Sequence, residues 1–237
     1  MLKITILTSN QPRHVALINS LSEIAEVNAI IEERNNDFKG NDTPIMNQYF
    51  WQVKEAEIKF FPLKEPPTIN YNEICFFDFG EINKQTKSEL KQFLNADVFV
   101  VFGSSYIKGW LADFLVEKKA INIHMGLAPF YRGSNNNAWA IYDGNPDKVG
   151  ATIHYLSKGL DSGEIIETVK ADINYLHNSF EFTMSAVKES HLAIMNVIQD
   201  IEGNNCFPES HKQDKSKEIR NSKYTDWTDE IAKKLLK

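Results

Sequence analysis

Residues 120–133 read AINIHMGLAPFYRG, and residues 150–166 read GATIHYLSKGLDSGEII. From Ile121 to His124 apolar and polar residues alternate, the two-residue period of a strand. Ile121 and Ile123 therefore face one way, and Asn122 and His124 share the other side. Gly126, Pro129 and Gly133 then break the pattern, which places the two polar residues at the strand's carboxyl end. In an open parallel sheet that is the end at which ligands bind. The second segment reads as another strand over residues 150–156, followed by a glycine-flanked loop that presents Asp161 above the sheet. An amide, an imidazole and a carboxylate are thus expected to meet over one strand end.

The flanking sequence supplies a scaffold of the matching kind. Residues 3–9 (KITILTS) read as a buried opening strand, and Asn10-Gln11-Pro12 offers a cap and a first-turn proline for a helix with Leu17, Ile18, Leu21 and Ile24 on one face. VNAIIEE, residues 27–33, continues as a second strand. Residues 35–43 are a polar, turn-rich loop, the aromatic-bearing stretch through Phe61 a helix leading into a short strand, and residues 62–72 a proline-bearing surface loop. Thr86 and Glu89 form a capping-box pair ahead of Leu90, Phe93 and Leu94, which predicts a helix feeding the strand DVFVVFG. Trp110, Leu111, Phe114 and Leu115 give the next helix its buried face, and that helix delivers the chain to the Asn122 strand. Phe182, Ala186, Val187, Ala193, Ile194 and Val197 mark the apolar stripe of a long helix over residues 179–201. Strands alternating with helices predict an α/β fold, a Rossmann-like open, mostly parallel twisted sheet with helices on both faces. The expected division is a main domain over residues 1–203 and a short C-terminal extension over 204–237.

With 237 residues, 42% of them hydrophobic, the chain can bury a substantial core. Its net charge of -6 is the wrong sign for a general nucleic-acid binder, so no nucleic-acid partner is expected. MLKITILTSN lacks the build of a signal peptide and no segment is long enough to span a bilayer, which predicts a cytoplasmic protein with no membrane partner. Cys75 and Cys206 are isolated, with no metal-ligand spacing, and no Cys/His/Asp cluster suggests a metal. No glycine-rich fingerprint follows the first strand, which argues against a dinucleotide site.

The strand NIH, the loop LAPFYRG and the loop GLDSG together resemble the 10-formyltetrahydrofolate-dependent formyltransferase family, whose signature combines Asn-x-His, a Leu/Ala-Pro-x-Tyr-x-Gly loop and an Asp in Gly-x-Asp-x-Gly. The resemblance runs over residues 3–201 and is dense only from Asn122 to Ile166. It implies attack by a primary amine on the formyl carbon of 10-formyltetrahydrofolate as co-substrate. Asn122 would donate an N–H to the tetrahedral oxyanion, and His124 would take the proton. Asp161 would either stabilise the imidazolium or align a relaying water. Phe102, Gly103, Ser104, Tyr106 and Ile107 correspond to the loop that lies against the pterin. Without the resemblance they would read as a strand-to-helix turn with Ser104 as cap.

Where many members read His-Pro-Ser-Leu-Leu-Pro, this chain has HMGLAP, a departure that resembles the branch formylating nucleotide-linked amino sugars. That branch implies a nucleotide-sugar substrate, a dTDP-4-amino-4,6-dideoxyhexose for surface polysaccharide, contacted by Arg13, His14, Tyr131, Arg132 and Trp139. Arg13 and Arg132 would be the diphosphate contacts. Methionyl-tRNA formyltransferases resemble the same core but add a C-terminal domain and a basic surface, which the nearly charge-balanced tail is not expected to supply. Glycinamide ribonucleotide formyltransferases have a glycine-rich first loop where this chain reads TSNQPRH. A folate- or nucleotide-binding protein without catalysis is the alternative of another class. Tyr224 and Trp227 are expected to pack in the interface of a homodimer. His154 is open between pocket and core, and Asn135 to Asn137 between hydroxyl recognition and an exposed turn.

Overall fold

The computed structural model describes residues 1–34, 43–62 and 71–236. The loops expected over residues 35–43 and 62–72 lie outside the described residues apart from their ends. Strand β1 (Lys3–Ser9) runs into helix α1 (Pro12–Ser22) and strand β2 (Glu26–Glu33), the first crossover unit. The cap position of α1 is Gln11, with no side-chain cap bond, whereas Asn10 accepts the Arg34 backbone N–H at 3.1 Å. Helix α2 (Pro44–Phe60) starts where the Thr43 hydroxyl accepts from the Met46 N–H, and strand β3 (Tyr71–Asp78) follows. Then come β4 (Val98–Phe102), α3 (Gly109–Glu117), β5 (Ile121–His124), β6 (Tyr131–Gly133), α4 (Asn136–Tyr142), β7 (Gly150–Tyr155) and β8 (Ile165–Lys170). The long helix α5 (Ser179–Asn204), strand β9 (Arg220–Ser222) and helix α6 (Asp229–Leu235) complete the chain.

The main sheet has seven strands in the order β3-β2-β1-β4-β5-β7-β8. It is parallel from β3 to β5, while β7 pairs antiparallel with both β5 and β8. The expected mostly parallel α/β fold is therefore the observed one. Two cores explain why the central strands read as continuous apolar runs. On β4, Val98, Val100 and Phe102 enter the core beneath α1, α2 and α5, while Phe99 and Val101 enter the one beneath α3.

Two expectations are corrected. Thr86 and Glu89 do make the capping box, with Thr86 N–H donating to Glu89 Oε2 at 2.7 Å and Glu89 N–H to Thr86 Oγ at 3.3 Å. It opens turns and a short 3₁₀ helix, Lys91–Leu94, rather than an α-helix. Leu90 and Phe93 are three apart and both fully buried, a spacing that a 3₁₀ turn stacks on one side, and β4 begins only four residues after the turn ends. Trp227 is 3% exposed inside this chain's own core, with its ring 5.3 Å from Tyr49 and 5.1 Å from Trp139, and so is not at a surface where a second subunit would meet it. Ile231, Ala232 and Leu235 of α6 join the same core.

Candidate active site

Asn122 and His124 stand at the end of β5, opposite His154 and Thr152 of β7. The Asn122 amide lies 3.0 Å from His154 Nε2, and His154 Nδ1 lies 2.8 Å from the Tyr155 carbonyl. A carbonyl only accepts, so Nδ1 carries the proton and Nε2 offers its lone pair to the Asn122 N–H. Burial and then the nearby His124 charge pull the His154 pKa down to about 4, despite the Tyr155 carbonyl, which keeps the ring in that neutral form. His154 thus lines the cavity and is buried at once, and it fixes which way the Asn122 amide faces.

His124 is 5% exposed. Its Nδ1 is 3.2 Å from Asp161 Oδ1 and its Nε2 is 3.0 Å from the Tyr131 carbonyl. These two nearest partners are acceptors, which favours the imidazolium, while the Asn136 amide nitrogen stands farther from Nε2, at 3.5 Å. Burial by itself lowers the His124 pKa, but the charge and hydrogen bond of Asp161 and the Tyr131 carbonyl outweigh it, and the net shift is upward. For Asp161 burial works toward a higher value. The His124 charge and hydrogen bond, with the Gly133 N–H at 3.1 Å from Oδ2, hold the carboxyl below its usual range. Gly126 makes room for this ring, since a Cβ there would stand 2.9 Å from His124 Nε2 and 2.7 Å from Asn136 Cβ.

A cavity of about 660 Å³ opens over this strand end. Asn122, His124 and Asp161 line it, together with Phe102, Gly103, Ser104, Tyr106 and Ile107 and with Arg13 and His14. Gly103 has φ 73° and its Cα abuts the His14 ring, so that any Cβ would overlap the imidazole. That ring packs edge-on against Phe102 with centroids 4.6 Å apart and bonds Ser9 Oγ at 2.5 Å. Burial first, then Arg13, Arg34 and His191, push its pKa well down. The Ser104 hydroxyl turns to the Ser105 carbonyl, and the cap position of α3 is Lys108, not Ser104, with no side-chain cap bond.

Tyr131, Arg132 and Trp139 do not line the cavity. The Tyr131 hydroxyl points to Asn145 and Asp143 at 2.8 and 3.3 Å. Arg132 is 6% exposed and spans Gln213 at 2.8 Å and Glu218 at 3.4 Å, and Trp139 packs against Trp227 with the Arg220 guanidinium 4.0 Å from its ring centroid. The Tyr-Arg-Gly motif serves the site through its backbone, as the Tyr131 carbonyl holds His124 and the Gly133 N–H holds Asp161. The asparagine run is structural too. Asn137 accepts the Gly150 N–H at 2.9 Å and Asn136 donates to the Gly133 carbonyl at 2.7 Å.

Sequence reasoning passed over Arg34, Glu32 and Ser105. Arg34, just past the end of β2, lines the cavity, donates to the Gly103 carbonyl at 3.3 Å and lies over Phe79 at 4.3 Å. Glu32 is fully buried and accepts from the Ser105 N–H at 2.6 Å, the Ser105 hydroxyl at 2.8 Å and the Gly80 N–H at 2.8 Å, which pins the loop after β4. The charged residues Glu32, Glu33 and Arg34 closing the largely apolar run of β2 are the signal that marks both. Among the described residues no group of three or more His, Cys, Asp or Glu is placed to hold a metal, and no helix is long and apolar enough to cross a membrane.

The chain matches the model of the family described as formyl transferase over residues 52–198. A methionyl-tRNA formyltransferase of Desulforamulus reducens is 34% identical over 105 residues, 44% of this chain and 29% of that protein. The chain spans between 26% and 39% of the length of the first three such curated relatives. Among solved structures, a 4-N formyltransferase from Francisella tularensis superposes with a TM-score of 0.61 at 21% identity, covering 95% of this chain and 78% of that one. An N-formyltransferase from Helicobacter canadensis in complex with folinic acid and dTDP-3-aminofucose gives 0.58 at 18% identity, over 96% and 73%.

Proposed function

The chain belongs to the formyl transferase family, and from that premise we propose that it moves a formyl group from 10-formyltetrahydrofolate to the amino group of a nucleotide-linked amino sugar. A dTDP-4-amino-4,6-dideoxyhexose used for surface polysaccharide is the acceptor we assign. The observation that carries the reading is one cavity whose lining brings Asn122, His124 and Asp161 together with a largely backbone and apolar loop and with two arginines. The Phe102–Ile107 loop lines the cavity with Asn122, His124 and Asp161, and so do Arg13, ion-paired to Glu57 at 2.8 Å, and Arg34, which donates to the Gly103 carbonyl at 3.3 Å. The loop offers backbone and apolar side chains to a flat ring, and the arginines suit a diphosphate. The solved neighbours that hold folates and nucleotide sugars support the same pairing.

In this reading the amine nitrogen bonds to the formyl carbon, the carbonyl electrons move onto oxygen, and the Asn122 N–H stabilises that oxyanion. One such donor contributes roughly 10²–10³ in rate. His124 starts as the imidazolium that its two acceptors favour. Both ring N–H groups are engaged, Nδ1 by Asp161 and Nε2 by the Tyr131 carbonyl, so proton transfer requires one of these contacts to give way to substrate. His124 gives a proton to the departing folate nitrogen and regains one from the attacking amine, which leaves the totals balanced. The raised pKa suits the first half of that cycle and the Asp161 charge the second.

The second reading is methionyl-tRNA as acceptor, favoured by the names of the sequence relatives. Competition among dTDP-amino sugars, UDP-4-amino-arabinose, glycinamide ribonucleotide and methionyl-tRNA, with formyl donor present, separates them. Preferential formylation of either of the last two overturns the assignment, and tight binding without turnover of any amine favours a non-catalytic binder.

A further inference from the structure

After α5 the chain returns over the loop that carries Asp161. His211 exchanges both backbone hydrogen bonds with Ile165, at 2.8 and 2.9 Å. Two residues later, Gln213 Nε2 donates to the carbonyls of Asp161 at 2.9 Å and Gly163 at 2.7 Å, while its Oε1 accepts from Arg132 at 2.8 Å. The partners dictate the orientation of this amide. Flipped, its oxygen would face two carbonyls and its nitrogen a guanidinium.

The loop needs a holder. Asp161 has φ 46°, a left-handed backbone that a non-glycine residue keeps only where its surroundings over-determine it. Its carboxylate is gripped by His124 and the Gly133 N–H, and its backbone by Gln213. Arg132 in turn lies between Tyr131, whose carbonyl meets His124, and Gly133, whose N–H meets Asp161. One side-chain pair therefore ties the two segments that place the imidazole and the carboxylate. Neither Gln213 nor Arg132 lines the cavity.

We propose that Gln213, held by Arg132, is a positioning residue for the His124–Asp161 pair, fixing the carboxylate against the imidazole without touching substrate. Its kinetic consequence rests on the formyl-transfer reading; its effect on the pair does not. The test uses Q213M, which keeps the length and loses every polar contact, and Q213E, which keeps an acceptor for Arg132 and loses both donors. In Q213M the His124 ring signal, followed by NMR, should titrate at lower pH than in the wild type. In both variants kcat should fall on the order of 10- to 100-fold with KM for the formyl donor held. Thermal unfolding of Q213E close to wild type would show that the loss is one of placement. Unchanged His124 titration in folded Q213M, or unchanged kcat in Q213E, overturns the inference. A wild type that formylates no amine would overturn the proposed function instead, and the titration would then decide this proposal alone.

Discussion

Replacing Asp161 by asparagine removes one charge at nearly constant shape, and the structure sets the size of the effect. At the 3.2 Å separation of the pair, with an effective dielectric constant of about 20, the attraction is roughly 5 kcal/mol. Withdrawal of both groups from water offsets part of this, at several kcal/mol per ion by order of magnitude. The variant keeps the desolvation of His124 and, of what opposes it, only the Tyr131 carbonyl, so the ring should titrate at lower pH than in the wild type. The sign of the stability change follows from the same shifts. His124 is raised, so its contribution is present below its unfolded pKa and lost as pH rises through the folded one. Asp161 is lowered, so its contribution is present above its unfolded pKa and lost as pH falls through the folded one. Both are therefore complete between about pH 4 and about pH 6.5, where D161N should lie furthest below the wild type. The deficit is capped at about 3–5 kcal/mol and is smaller in practice because the ring sheds its proton. A Tm lower by roughly 5 °C near the middle of that window follows from about 2–4 °C per kcal/mol for a chain this size. The gap should narrow above the folded pKa of His124. Turnover should fall by on the order of 10³–10⁴, as when an orienting carboxylate is lost elsewhere. NMR titration of His124 with thermal scans across pH checks this. An unmoved His124 midpoint, or a Tm gap that does not change with pH, refutes the electrostatic reasoning.

Asn122→Ala should lower kcat by roughly 10²–10³ with the circular dichroism unchanged, measured by steady-state formyl transfer. Gly126→Ala drives a methyl against the His124 ring and Asn136; it should abolish most turnover and perturb the His124 NMR signal, and wild-type values of both would refute the packing argument. Trp227→Ala empties the socket between Tyr49 and Trp139, and thermal or denaturant unfolding should show a loss of about 3–5 kcal/mol.

Period and spacing made much of this fold and site readable. The NIH alternation and the distance to GLDSG brought Asn122, His124 and Asp161 to one cavity because strand parity is local and β5 and β7 are neighbours. The cavity role of the loop after β4 came from the family resemblance alone, since its local sequence reads as a strand-to-helix turn. What escaped depends on pairing across long separations. β6 is three residues long and its partner is β9, with Tyr131 opposite Arg220, so nothing local to Tyr131-Arg132-Gly133 says which atoms face the cavity. Its side chains were expected on the substrate, yet its backbone holds the His124–Asp161 pair. The same distance hid the socket that takes Trp227 into this chain's core. His154 needed the cross-strand register that sets it opposite Asn122, and Gln213 needed the return of the chain over the Asp161 loop. The capping box at Thr86 was legible, but how far a helix would run beyond it was fixed by where β4 must begin.

The most direct test supplies ¹³C-labelled 10-formyltetrahydrofolate and a dTDP-4-amino-4,6-dideoxyhexose to wild-type protein and to His124→Ala, and follows the sugar by mass spectrometry. The wild type should yield the sugar carrying one labelled formyl group on its amine, and the variant should yield it at a rate lower by at least roughly 10². Equal rates in the two proteins, or no labelled sugar from a wild type that formylates methionyl-tRNA, would contradict the account.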